Sequence, residues 1–236
     1  MAAKPLSGTE WSRFLDWMLQ SELECSELLG PKSQEHLERF ASPRIETGRV
    51  QNLFKRATTL GFAIDRYENL GIWILERDSN DYPRKLRQKL GDKSPPLLFG
   101  YGAVDTLNSE HAVAVVGSRS PTDRELRISA EIGEKSALQS SVLVSGGAKG
   151  IDRKSAEGAL EAGGKVIGVL ADSLSSVGSQ RENRVELGEG GRLTLVSQYD
   201  PDSPFTVGKA MGRNSTIYAL ADVAVVVASE RGSGGT

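Results

Sequence analysis

The sequence predicts an α/β chain: a parallel β-sheet flanked by helices, preceded by a small N-terminal helical domain. Three observations predict it. From Ala112 onward, apolar runs of strand length alternate with helical stretches, the pattern of repeated strand–helix–strand units with right-handed crossovers. Those runs are apolar at nearly every position, as in strands covered on both faces. Before Leu70 the apolar residues recur at helical spacing instead.

Taken in order, Trp11, Phe14, Leu15, Met18 and Leu19 fall at i, i+3, i+4, i+7 and i+8, which predicts an amphipathic helix. Leu23, Leu28 and Leu29 mark a short turn ending at Gly30-Pro31. Leu37 and Phe40 mark a third helix stopped at Ser42-Pro43. Val50, Leu53, Phe54, Ala57 and Leu60 mark a fourth, ended by Gly61. Residues 1–70 are therefore read as a helical domain, SAM-like or helix-hairpin-helix-like in its Leu-Gly punctuation. A packing or oligomerisation role is its simplest use. Residues 71–236 form the sheet domain. Within it, 71–75 reads as a strand, 82–86 starts a short helix and 95–100 is extended. Strand 112–116, helix 123–138, strand 142–145, helix 151–162 and strand 165–170 follow, and strands 193–197 and 223–227 extend the series. The last strand runs into a Gly/Ser turn at 229–236, after which a helix is expected; a fragment and a true end both fit that.

Composition narrows the function. The chain has 236 residues, enough to bury a core without crosslinks. A single cysteine, Cys25, excludes an internal disulfide and fits a reducing cytoplasm. With two histidines and one cysteine, no metal site and no cofactor are expected. No apolar run reaches membrane-spanning length. The net charge is −2, and neither half of the chain is basic, so a nucleic acid would have to be held by a local cluster of cations.

The strongest local signal is Val142-Leu143-Val144-Ser145-Gly146-Gly147-Ala148-Lys149-Gly150-Ile151-Asp152. A strand runs into a turn of small residues, and a helix follows. Such a turn lets backbone approach a phosphate, with amides of the helix start pointing at it. Lys149 adds a mobile charge. A second strand, 112–116, ends in Gly117-Ser118-Arg119-Ser120. Ligands of open parallel sheets bind beyond the carboxyl ends of the strands, so Arg119 and Lys149 are expected on one rim. A third element, Arg213-Asn214, is read at the start of a helix running to Ala221. Arginine suits phosphate, and asparagine suits a phosphate or a base edge.

In this order, these pieces resemble the DNA-processing protein A family (DprA, or Smf). The resemblance also takes in Asp81-Tyr82-Pro83, Pro96-Leu97-Leu98-Phe99-Gly100, Gly158-Ala159-Leu160, Phe205 and Ser233-Gly234-Gly235-Thr236. It implies an extended Rossmann-like fold that binds single-stranded DNA with little sequence preference, without covalent chemistry. It implies a homodimer that passes the strand to a RecA-type recombinase, as in natural transformation. The implied DNA- or phosphate-binding residues are Gly117, Ser118, Arg119, Ser145, Gly146, Gly147, Lys149, Gly150, Arg213 and Asn214, with no catalytic residue. The chain is a divergent member: Glu157 stands where the family has His, Ser215 where it has a second Arg, Gln198 where it has Glu, and 174–182 lacks its Tyr-Pro. An added acid and a lost arginine both weaken polyanion binding.

Two other classes compete. One is a nucleotide-binding protein of the same superfamily, either a non-catalytic sensor or a nucleoside-monophosphate phosphoribohydrolase, of which the hydrolase would use a Gly-rich turn followed by a glutamate. Gly232–Thr236 is a partial echo, with Glu230 on the wrong side. A nicotinamide oxidoreductase would need Gly-x-Gly-x-x-Gly after the first parallel strand, and Gly117-Ser118-Arg119-Ser120 does not supply it. Asp152 is expected to cap a helix or hold the Gly turn, Glu157 to be solvated, and Ser145 to lack a histidine partner that would make it a nucleophile. Asp172, His36 and His111 carry no stronger reading.

Overall fold

A computed structural model describes residues 4–24, 26–40, 45–178 and 191–228. Cys25, the Ser42-Pro43 stop, Glu230 and the turn at 232–236 lie outside the described residues. Two compact units divide the chain: one holds residues up to Leu70 with Asp92–Pro96, the other Gly71–Gly91 and the chain from Leu97 onward. Among the described residues, no helix is long and apolar enough to cross a membrane.

The helical unit begins with α1 (Gly8–Gln20), started by a capping box. The Ser7 hydroxyl accepts from the Glu10 amide at 3.3 Å, and the Ser7 amide donates to Glu10 Oε2 at 2.7 Å. Phe14 and Met18 on its buried face join Leu28, Leu37, Phe40, Ile45 and Val50 in one core. Phe14 meets Phe40 edge to face, with ring centroids 5.3 Å apart. Helices α2 (Ser33–Glu38), α3 (Thr47–Phe54) and α4 (Ala57–Asn69) complete the unit. The single fourth helix expected from 50 to 60 is thus two helices, broken at Lys55-Arg56. The second passes through Gly61 and ends at Asn69, because one glycine in a helix costs only about 1 kcal/mol and does not stop it.

The second unit is a seven-stranded sheet in the order β1-β2-β6-β5-β4-β3-β7. Strands β1 (Trp73–Glu76) and β2 (Leu97–Tyr101) are antiparallel additions at one edge. The other five, β3 (Ala112–Gly117), β4 (Val142–Ser145), β5 (Val166–Val169), β6 (Leu193–Ser197) and β7 (Val223–Val227), run parallel. Helices α5 (Arg84–Leu90), α6 (Asp123–Leu138), α7 (Ile151–Glu161), α8 (Leu174–Gly178) and α9 (Val207–Leu220) connect them. The α/β class expected from alternation is what forms. Strand alternation sends Ala112, Ala114, Val116, Val142 and Val144 into a core with Ile217 and Leu220 of α9. Val115 and Leu143 point to the other face and are fully buried. Helices α6 and α7 pack together through small residues, with the Ser129 hydroxyl donating to the Ile151 carbonyl at 2.8 Å. β7 departs from the two-sided burial expected of it: Val223 and Val226 stay exposed, because α9 crosses β3, β4 and β5.

The topology positions the site. The chain steps outward from β3 through β4 and β5 to β6, then returns to place β7 on the other side of β3. The carboxyl end of β3 therefore lies at a topological switch point, where open α/β sheets form their ligand crevices. The Gly117-Ser118-Arg119 turn starts there, and the turn after β4 lies beside it.

Candidate functional site

Asp152, in the first turn of α7, ties the two turns together. Its Oδ1 accepts from the Gly117 amide at 3.2 Å and its Oδ2 from the Gly146 amide at 3.1 Å. Only 4% of Asp152 is exposed. Burial pushes its carboxyl above the usual aspartate value, against the pull of the Arg213 charge and of the Gly117, Gly146 and Ala148 amides. The Ser145 hydroxyl is committed to the same framework, donating to the Val115 carbonyl at 2.7 Å. Gly150 has φ +88°, and a side chain there would meet the Ser118 carbonyl. That close approach brings the Lys149-Gly150 segment against Ser118-Arg119, and the Ile151 amide donates to the Ser118 carbonyl at 3.2 Å.

These bonds correct one expectation. The sequence predicts a phosphate cradle made by the Gly146-Gly147 backbone and the amides at the start of α7. The Gly117 and Gly146 amides are taken by Asp152, the Ile151 amide by Ser118 and the Arg153 amide by the Ala148 carbonyl. An amide held by an internal acceptor has no proton left for a ligand. At these four positions the backbone serves to hold the turns, while Gly147 stays exposed to solvent.

Arg213 requires a second correction. Helix α9 starts at its N-cap Thr206, whose hydroxyl accepts from the Lys209 amide at 3.1 Å, so Arg213-Asn214 lies in mid-helix. Arg213 is 6% exposed. Its guanidinium lies flat on Gly146, where a Cβ would fall 1.9 Å from Nη1, and Nη1 donates to the Val169 carbonyl at the end of β5. Gly146 is a glycine because arginine occupies the space of its side chain. Burial lowers the Arg213 pKa, the Asp152 charge supports it and the Arg119 charge lowers it again. Arg213 is thus a buried strut beneath the turns, within electrostatic reach of Arg119, and not a third side chain on the rim. Its Nε has no hydrogen-bond partner among the described residues. Asn214 is half-buried on the same helix.

At the surface the structure exposes Arg119, Gly147 and Lys149, with Ser118 half-exposed and its hydroxyl accepting from the Ser120 amide at 3.1 Å. Arg119 also lines an open depression with Pro121, Gly150, Arg153, Lys154 and Glu157. Sequence reading passed over Arg153 and Lys154. Their signal was the spacing of two cations three and four residues before Glu157, which places all three on one helix face. Glu157, expected to be solvated, pairs with both: Arg153 Nε lies 3.0 Å from Oε1 and Lys154 Nζ 3.0 Å from Oε2. Its partial burial raises the Glu157 pKa, but the Lys154 and Arg153 bonds outweigh this and hold it below the usual value. Taken together, the site is a cationic rim of side chains over a framework built by Asp152 and Arg213. Its charge is suited to hold an anion.

The fold has counterparts among known proteins. The chain is 26% identical to DNA processing protein DprA of Bacillus subtilis over 168 residues, covering 71% of this chain and 56% of that one. The solved structure of DNA processing protein A from Streptococcus pneumoniae superposes with a TM-score of 0.76 at 23% identity, covering 98% of this chain and 76% of that one. DNA processing protein A from Helicobacter pylori, solved for its single-stranded DNA binding mode, gives a TM-score of 0.58 at 25% identity, covering 69% of this chain and 72% of that one. The chain spans about half the length of the curated relatives it matches. The family model for DNA recombination-mediator protein A matches residues 73–236. Because that match runs through every strand, both turns and the buried arginine, the chain belongs to the DNA recombination-mediator protein A family.

Proposed function

We propose that this chain binds single-stranded DNA without catalysis, acting in the cytoplasm in DNA processing or uptake and in loading a RecA-type recombinase, as a homodimer. One observation carries the reading: the turns that follow two adjacent parallel strands leave Arg119 and Lys149 exposed, and Arg119 lines one depression with Arg153 and Lys154 of α7. A row of surface cations on a rigid rim suits successive phosphates of a flexible strand. The relative from Helicobacter pylori, a protein with a single-stranded DNA binding mode, supports the ligand class. The non-catalytic reading is supported by how the reactive groups are used. Both Asp152 oxygens accept backbone amides, and the Ser145 hydroxyl donates to a carbonyl.

The implied partners of the turns separate by chemistry. Arg119 and Lys149 are the direct phosphate contacts, with Ser118 and Gly147 beside them. Gly117, Ser145, Gly146, Gly150 and Arg213 build the platform, and Asn214 lies behind it. Fluorescence anisotropy with labelled oligo-dT across a salt series tests the reading. With two to four phosphates engaged, log affinity should fall against log salt with a slope of about −1.5 to −3. The Arg119→Glu/Lys149→Glu variant should weaken binding by about ten-fold or more per substitution at low salt. Unchanged affinity in that variant, or no salt dependence, would remove the proposal.

A further inference from the structure

We propose that Glu157 is an internal counter-anion that sets how tightly the Arg119, Arg153 and Lys154 depression holds a polyanion. The inference rests on the single-strand reading above and adds a residue that tunes it. One carboxylate takes both neighbouring cations, Arg153 through Oε1 and Lys154 through Oε2, each at 3.0 Å. All three side chains line the same depression as Arg119, at the foot of the Gly150 turn. The side chains of Lys154 and Glu157 are each 39% exposed and that of Arg153 61% exposed, so an incoming phosphate reaches them from solvent.

A phosphate entering the depression meets two cations that already share an anion. It must either displace Glu157 from them or accept a weakened field. Either way part of the attraction is lost, because the carboxylate repels the phosphate over the same few ångströms at which the cations attract it. A second consequence concerns salt. Strand affinity in dilute salt comes largely from small ions that the partners release. Cations paired internally with Glu157 carry fewer released ions of their own. Glu157 therefore flattens the salt dependence as well as lowering the affinity. A residue that only supported the helix would move neither quantity in this direction.

The test compares oligo-dT binding by the full chain and its Glu157→Gln and Glu157→Lys variants across a salt series, with thermal melting to confirm folding. Glu157→Gln should bind about three- to ten-fold tighter at low salt, with a steeper salt slope, and Glu157→Lys tighter still. In an Arg153→Gln/Lys154→Gln background, the gain from Glu157→Gln should fall below about two-fold, because the cations it neutralises are gone. If Glu157→Gln binds as the parent does or more weakly, while Arg119→Glu/Lys149→Glu still loses affinity, this inference is overturned and the single-strand reading stands. A gain that persists undiminished without Arg153 and Lys154 overturns it too, since Glu157 would then act through the general field. If the parent binds no oligo-dT at any salt, both fall together.

Discussion

Two carboxylate–arginine couples, Glu10 with Arg49 in the helical unit and Asp152 with Arg213 in the sheet unit, behave in opposite ways. In the helical unit, Arg49 Nη1 lies 2.8 Å from Glu10 Oε1, and both side chains keep about a fifth of their surface, 19% and 20%. Arg49 also donates to the Lys4 and Pro5 carbonyls. The Arg49 bond holds the Glu10 carboxyl down at about 2. In the sheet unit, Asp152 and Arg213 are buried, the carboxylate held by backbone amides and the guanidinium by a carbonyl. There the carboxyl is pushed up and the guanidinium down. The difference teaches that water decides the sign. A half-wet pair keeps its hydration and gains from its partner, whereas a dry pair loses more hydration than the partner returns. The first couple fastens a chain end to a helix. The second has a cost that only its position explains: it fixes two turns and presents Arg119 and Lys149.

The sharpest way to break this contrast is Asp152→Ala. It leaves Arg213 buried beside an empty site and releases two turns at once. Removing one partner of a buried pair costs about 3–5 kcal/mol, so the urea midpoint of the chain should fall by that equivalent. A loss below about 1 kcal/mol would mean that Asp152 and Arg213 are not coupled as described.

Gly146→Ala comes next. The added methyl would fall 1.9 Å from Arg213 Nη1. Forcing atoms into a filled site costs about 1–3 kcal/mol. In an Arg213→Ala background the same change should cost less than about 0.5 kcal/mol, because the clash is gone and contacting sites are not additive. An equal cost in both backgrounds would assign the glycine to its backbone geometry and not to the arginine lying on it.

These two sites also show what the sequence could and could not reveal. The sheet is legible because residues 112–116 and 142–144 are apolar throughout, and few other structures use such runs. The two turns were legible because only small residues fit there. Arg213 was placed on the rim because arginine is rarely buried, and nothing local announces burial. The compensation comes from Asp152 on another helix and from Val169 on a strand, and both partners are assembled only by the fold. The start of α9 is signalled by Thr206, seven residues before the expected start at Arg213, but the Arg-Asn pair draws the boundary toward itself. The break between α3 and α4 carries no proline and no side-chain cap, so nothing local marks it.

The smallest effect belongs to Glu10, and it sharpens the comparison by its pH dependence. Its carboxyl sits at about 2 in the folded chain, against an ordinary 4.5. Between those values the unfolded chain takes up a proton that the folded chain refuses, so acid favours unfolding. The contribution of the pair is complete above about pH 4.5 and disappears as pH falls through about 2. The pair is only partly exposed, so the linkage contribution is reduced by water but not abolished, and Glu10→Gln should lower stability by about 1–2 kcal/mol at pH 6. As pH falls through about 2 the variant and its parent should converge, because the parent carboxyl takes up its proton there. Asp152 has the opposite sign. Its folded value is raised above the ordinary 3.8, so the folded chain takes the proton first, and acid relieves a cost where it removes a gain at Glu10. Carboxyl chemical shifts followed by NMR read both groups in one titration, Glu10 below its ordinary value and Asp152 above it. Should the two move in the same direction, burial would not be what separates them, and the account of Asp152 as a costly fastener of the rim would fail with it.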